Sequence, residues 1–232
     1  MRLILFLLLI PSFAFGQIGR FPMHSLGGGE AAPVGSWTNL VSCWPMNETS
    51  GDAEDVEGGD DGTVYSGTQT TGGFISAAGA DSISITGVIQ NTPGTWIMLC
   101  NITSNPINII GGDAGCMTLT VNASNRLRVL EAGATGTDAT SMSITQSTWQ
   151  LISIRVDPGD SIRYGINDSY ETETWSQTIT KETTILAGGY YSWGYRGTIR
   201  NVFYFSDLKT DSYITAFYNG GSFTDYEDGD PE

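Results

Sequence analysis

The chain has 232 residues and a formal net charge of −15, from 25 acidic and 10 basic side chains. Such a surface repels phosphate backbones and excludes nucleic acid as a partner. Three cysteines and one histidine, His24, make no CxxC or Cys/His cluster for zinc, no even-numbered disulfide framework and no Ser/His/Asp set.

The amino-terminal residues carry a targeting pattern. Arg2 precedes an apolar run over residues 3–10, and Ala14 and Gly16 place small residues three and one before a cut that leaves Gln17 first. This predicts a secretory signal over residues 1–16. The run is shorter than the roughly 20 residues a membrane span needs, and no later run replaces it. We therefore expect a secreted, extracellular or surface-displayed protein with no transmembrane segment after signal removal. Residues 17–36 are rich in Gly, Pro and Ala without periodicity and read as a flexible leader or tether. An arm docked on a partner subunit is the alternative. One domain follows over 37–220, and residues 221–232 form an acidic tail.

Inside the domain, short β-type runs alternate with turn residues. Residues 95–101 (TWIMLCN) and 107–110 are buried strands in this reading. Residues 116–121 place Met117, Leu119 and Val121 on one side, and 126–130 do the same for Leu127 and Val129. Residues 149–156 (WQLISIRV) offer Gln150, Ile152, Ile154 and Val156 as the core face. The turn DPGD then leads into a strand over 161–167, because Pro fixes φ and Gly relaxes it. Residues 199–205 (IRNVFYF) are a strong strand, and only 211–219 read as a helix, with Ile214, Phe217 and Tyr218 on one stripe. Closely spaced strands with almost no helix predict an all-β, two-sheet antiparallel jelly-roll sandwich with one short C-terminal helix. Cys43 and Cys100 sit in apolar runs as small hydrophobes, and a Cys100–Cys116 bridge is the alternative for an exported chain.

Two distant segments carry a resemblance. Near the start, Trp44, Glu48, Ser50, Gly51, Asp55, Gly58 and Asp61-Gly62-Thr63 follow one another in order. Near the end come Gly197, Ile199, Val202, Leu208, Ile214, Phe217, Tyr218, Asn219 and Gly220. Trp96 and Trp149-Gln150-Leu151-Ile152 fit between them, and Tyr164 to Asp168 fits loosely. Over residues 38–220 this order resembles the LamG-like jelly roll of the concanavalin A-like lectin and glucanase superfamily. The resemblance implies a module that binds a polysaccharide or glycoconjugate. Physics gives Trp44 and Trp96 the role of anchors between the sheets.

Four features bear on chemistry. The acidic loop with Asp52, Glu54, Asp55, Glu57, Asp60 and Asp61 clusters hard oxygen ligands of the kind calcium takes, with Asp55 and Asp61 as the metal ligands. The alternative is a solvated turn in which Asp55 and Asp61 bond their own backbone. Residues 188–197 (GGYYSWGYRG) place Tyr190, Tyr191, Trp193 and Tyr195 in a glycine-flanked loop, where aromatic planes would stack on sugar rings. Asn167, Asp168 and Arg196 would add polar contacts; the alternative is that half of these rings cap the core or meet another subunit. Glu54-Asp55-Val56-Glu57 and Glu171-Thr172-Glu173 lack the strand spacing that points a nucleophile and an acid into one cleft, so catalysis is not expected. Asn47, Asn101, Asn122 and Asn167 each open an N-glycosylation sequon. The sequence thus reads as a non-enzymatic carbohydrate-binding or adhesion module. The competing classes are a structural domain of a virion or matrix that contacts protein, a homo-oligomer included, and a glycoside hydrolase of the same fold.

Overall fold

The computed structural model describes residues 37–77, 81–85, 92–111, 116–131, 136–177, 179, 185–186 and 194–225. The signal over 1–16, the leader over 17–36 and the end of the tail lie outside the described residues. The strands in chain order are β1 (Leu40–Trp44), β2 (Thr63–Val64), β3 (Thr68–Thr70), β4 (Gly73–Ser76) and β5 (Ile83–Ser84). Then come β6 (Gly94–Ile102), β7 (Ile107–Gly111), β8 (Met117–Val121), β9 (Arg126–Glu131) and β10 (Thr137–Ser143). The last are β11 (Trp149–Asp157), β12 (Ser161–Ile166), β13 (Ser169–Thr174), β14 (Ile185–Leu186) and β15 (Gly197–Phe205). One helix, α1 (Asp211–Tyr218), follows and runs into a single 3-10 turn at Asn219–Gly221.

These strands form the expected all-β sandwich. The first sheet runs β13-β12-β11-β6-β15-β4-β3, with β1 also paired to β15, and the second runs β10-β9-β8-β7-β14-β5-β2. Every pairing among them is antiparallel. One flank of β15 takes β6, while the other is shared by β4 at residues 197–199 and β1 at residues 202–205. The first and last of the described strands therefore seal one sheet together. A bulge between Arg200 and Phe203 makes this sharing feasible, since it re-aims the strand between its two partners.

Between the sheets lie the predicted inward faces: Met117, Leu119 and Val121; Leu127 and Val129; Ile152, Ile154 and Val156. Trp44 and Trp96 are both buried there and stack at 6.2 Å between centroids with planes 10° apart. Cys43, Cys100 and Cys116 are all buried, and Cys100 and Cys116 are two thiols rather than halves of a bridge. Burial pushes the Cys100 thiol up to about 12, which keeps it protonated and inert.

The helix explains the second set of apolar residues on the first sheet. Cys43, Ile97, Leu151, Phe203 and Phe205 face away from the core and are covered by Trp37, Tyr213, Ile214 and Phe217. The buried stripe of α1 is thus Tyr213, Ile214 and Phe217, with Tyr218 only half-buried. Thr210 caps it by accepting from the Tyr213 amide at 3.2 Å, and Asn219 ends it in the left-handed region. Among the described residues no helix is long and apolar enough to cross a membrane.

Candidate functional site

The acidic loop is built around one carboxylate that faces the backbone. Asp55 is buried, and its Oδ1 accepts from the amides of Cys43 (2.8 Å), Glu57 (3.1 Å) and Gly58 (3.0 Å). Its Oδ2 accepts from the Asp60 amide at 3.2 Å. Asp61 accepts from the Asp55 amide at 2.9 Å, and the Asp60 carbonyl accepts from the Trp44 indole at 3.0 Å. Gly58 is required because a Cβ there would meet the Val41 carbonyl at 2.4 Å. Calcium was expected at Asp55 and Asp61; in this structure both aspartates accept from backbone amides, and Asp55 Oδ2 takes a single donor. Among the described residues no group of three or more His, Cys, Asp or Glu side chains converges as a metal site would require.

The aromatic loop divides. Tyr190, Tyr191 and Trp193 lie outside the described residues. Tyr195 does not belong on an exposed platform: it is fully buried, donates to the Thr198 carbonyl at 2.8 Å, and its own carbonyl accepts from the Ser76 hydroxyl at 2.6 Å. Burial raises its phenol well above the ordinary value. The reason is topological, because Tyr195 is already entering β15, where Gly197 must approach β6 so closely that a Cβ would meet the Asn101 carbonyl at 2.0 Å. Arg196 is exposed, and its carbonyl accepts from the Thr103 amide at 3.0 Å.

Asn167 and Asp168 form the β12–β13 turn, and here the structure brings distant residues together. Asn167 takes a left-handed φ of 58° and locks the turn: its amide donates to the Leu151 carbonyl at 2.8 Å and its Oδ1 accepts from the Leu151 amide at 3.0 Å. Asp168 is left exposed. Residues 166–170 then form one wall of an open cleft of about 460 Å³, and Ser141, Met142 and Ser143 of β10 form the other. Strand β10 is the edge of the second sheet and β13 the edge of the first, so the cleft marks where the open sides of the two sheets meet.

Glu171 joins these edges. Its carboxylate accepts from the Thr140 amide and hydroxyl (2.7 Å to the latter) and from the Ser141 amide (2.9 Å) and hydroxyl. Partial burial works to raise its carboxyl, but these four donors outweigh it and hold the group down at about 2. Glu171 thus ties β13 to β10 through four donors of the protein itself. Beside it, Tyr170 is stacked by Arg155 at 5.0 Å and Arg163 at 5.6 Å. Both guanidiniums pair with Asp211 at the start of α1, and Arg163 first, with Arg155, holds that carboxyl down at about 2.

The sequence reasoning missed the β10 wall. TDATSMS is polar and carries no periodic apolar signal beyond Ala139 and Met142, so nothing local ties it to residues 166–170.

No family model matches this chain, and no curated protein matches it. Solved structures do. Trypanosoma rangeli sialidase is similar with a TM-score of 0.64 at 14% identity, over 82% of this chain and 34% of that one. The same enzyme in complex with sialic acid gives 0.64 at 15%, over 82% and 34%. Domain 4 of AbnA, an extracellular arabinanase from Geobacillus stearothermophilus, in complex with arabinotriose, gives 0.58 at 15%, over 76% of this chain and 97% of that one. This chain spans about a third of the sialidase chains. At such identities the likeness shows the fold alone, an antiparallel β-sandwich.

Proposed function

We propose that this chain is a LamG-like carbohydrate-binding module, non-enzymatic and exported, that seats a saccharide in the cleft between β10 and the β12–β13 turn. The cleft itself carries the reading. It falls in the size range of small-ligand sites, and its walls mix the hydroxyls of Ser141, Ser143 and Ser169 with the Asp168 carboxylate and the apolar Met142 and Ile166. A sugar ring presents the matching pattern of hydroxyls around an apolar face. From the sequence alone, Tyr190, Tyr191 and Trp193 are proposed as stacking residues and Arg196 as a polar contact for the same ligand. The non-enzymatic part is supported by Glu171 and Asp55, whose carboxylates are occupied by donors of the protein itself. The complex of domain 4 of AbnA with arabinotriose makes arabino-oligosaccharides a first probe.

The test is a glycan array followed by calorimetry on the full chain. Asp168→Ala is expected to weaken saccharide binding about tenfold, the worth of one charge-assisted hydrogen bond, without moving the melting temperature. Trp193→Ala tests the aromatic contact in the same way. Absence of binding to any glycan would remove the proposal, and binding unaffected by Asp168→Ala would remove the cleft from it.

A further inference from the structure

Beyond α1, the outer face of the first sheet carries a second group of side chains. Register places Trp149 of β11, Asn101 of β6, Thr198 of β15 and Ile75 of β4 on one cross-strand row. Arg200 lies one step along β15, opposite Leu99. Its side chain crosses β6 and sets the guanidinium 5.1 Å from the centroid of the Trp149 indole. Trp149, Asn101, Thr198 and Arg200 are half-buried and Ile75 is exposed. None of these residues lines the cleft or belongs to the cluster beneath the helix.

Two atoms of this group are buried without a hydrogen-bond partner: Arg200 Nε and Asn101 Oδ1. Arg128, Arg155 and Arg163 each hold a carboxylate, whereas among the described residues none pairs with Arg200. The Arg200 guanidinium thus has no acid among the described residues and rests against an indole. Stacking on the indole limits the side chain's motion, so the planar fork is already oriented for a bidentate partner. A buried N–H of a cation that meets no acceptor is costly, and an incoming anion removes that cost.

We infer that the Arg200–Trp149–Asn101 group is a subsite for an oxyanion, the carboxylate or sulfate of an acidic saccharide or the free inorganic ion. Arg200 takes the two oxygens as a fork. The Asn101 amide and Thr198 hydroxyl sit on the neighbouring row, within reach of groups attached to the anion. This subsite stands independently of the cleft, and either can fail alone.

The test is a titration of the ¹⁵N-labelled full chain at low ionic strength, with the arginine Nε–Hε peaks observed. Inorganic sulfate and a sialylated trisaccharide are added separately, and Arg200→Lys assigns the Arg200 peak by its loss. A saturable shift of that peak is expected. Arg200→Gln should weaken binding about tenfold, while Arg126→Gln on β9 leaves it unchanged. A tighter response to the trisaccharide identifies the glycan as the source of the anion, and an equal response identifies the free ion. An Arg200 peak that stays in place with both, or undiminished binding by Arg200→Gln, overturns the inference. With the peak assigned through the charge-conserving Arg200→Lys, the wild-type titration decides between these outcomes even where Arg200→Gln fails to fold.

Discussion

Removing the Asp55 carboxylate tests most directly how the amino-terminal part of the sandwich is held. In Asp55→Ala the amides of Cys43, Glu57, Gly58 and Asp60 lose their acceptor together. They do not lose it equally. Cys43 is fully buried in β1, so its N–H is stranded at a cost of about 1–3 kcal/mol. Glu57 and Gly58 are exposed and Asp60 is half-exposed, so water replaces the acceptor and each costs about 0.5–1 kcal/mol. The sum is about 2.5–6 kcal/mol, a large share of the 5–15 kcal/mol typical of a domain. At about 2–4 °C per kcal/mol for a chain of this size, melting should fall by roughly 5–24 °C. Denaturant unfolding and calorimetry read both quantities. Gly58→Ala should destabilise through the same loop, because its Cβ would press on the Val41 carbonyl and on Asp55 Oδ2 at 2.7 Å. Chelator should leave the wild-type melting temperature where it is. A loss below about 1 kcal/mol in Asp55→Ala would refute the idea that this carboxylate organises the loop, and a chelator-induced drop would return the aspartates to calcium.

Further outcomes follow from the same contacts. Glu171 and Asp211 both have carboxyls held down at about 2, so each contributes stability that is full above its ordinary value near 4 and is lost as pH falls toward 2. Unfolding measured between pH 5 and 2 should show that loss, and Glu171→Gln together with Asp211→Asn should flatten it; an unchanged slope would contradict both assignments. Trp96→Ala removes the stack on Trp44 and the contact with Tyr204 at 4.7 Å, and should cost about 3–5 kcal/mol in chemical denaturation. Tyr195→Phe leaves the Thr198 carbonyl without its donor and should cost about 1–2 kcal/mol with saccharide affinity intact. Loss of affinity at unchanged stability would put Tyr195 back on the ligand surface.

The long strands were legible because they alternate over enough residues to fix a face. Ile152, Ile154 and Val156 point inward as their spacing requires, and Trp44 and Trp96 meet between the sheets as their size requires. The two-residue strands β2, β5 and β14 carry no period, and only pairing with one another and with β7 makes them strands. In the helix, Tyr213 rather than Tyr218 faces the sheet, a matter of rotation that two turns of sequence do not determine. Tyr195 looked like a loop aromatic because glycines flank it, yet one of them, Gly197, lets β15 begin against β6, and the ring lies inside. For Asp55 the sequence left calcium and backbone bonding open. The backbone bonding was not legible in full because it depends on Cys43, twelve positions earlier, which brings a buried N–H to the carboxylate.

The cleft had no local signature because it is a property of two sheet edges. A sandwich whose sheets do not close into a barrel leaves unpaired backbone groups along its outer strands, which invite pairing with another chain. Here the amides of Thr140 and Ser141 on one edge are taken by a side chain from the other, Glu171. That contact blocks an intruding strand and also sets how far β10 stands from the β12–β13 turn, hence the width of the proposed saccharide site. The two roles have separable consequences. Glu171→Ala should both weaken saccharide binding in the cleft and raise the tendency to self-associate, read by calorimetry and by sedimentation. Glu171→Gln keeps one acceptor oxygen but turns an NH2 toward donors of β10, and should limit self-association more fully than it restores affinity, because an amide oxygen replaces only part of the four-donor contact. If Glu171→Ala leaves both properties unchanged, the edges are held apart by something other than this carboxylate, and the cleft loses the feature that gives it a defined shape.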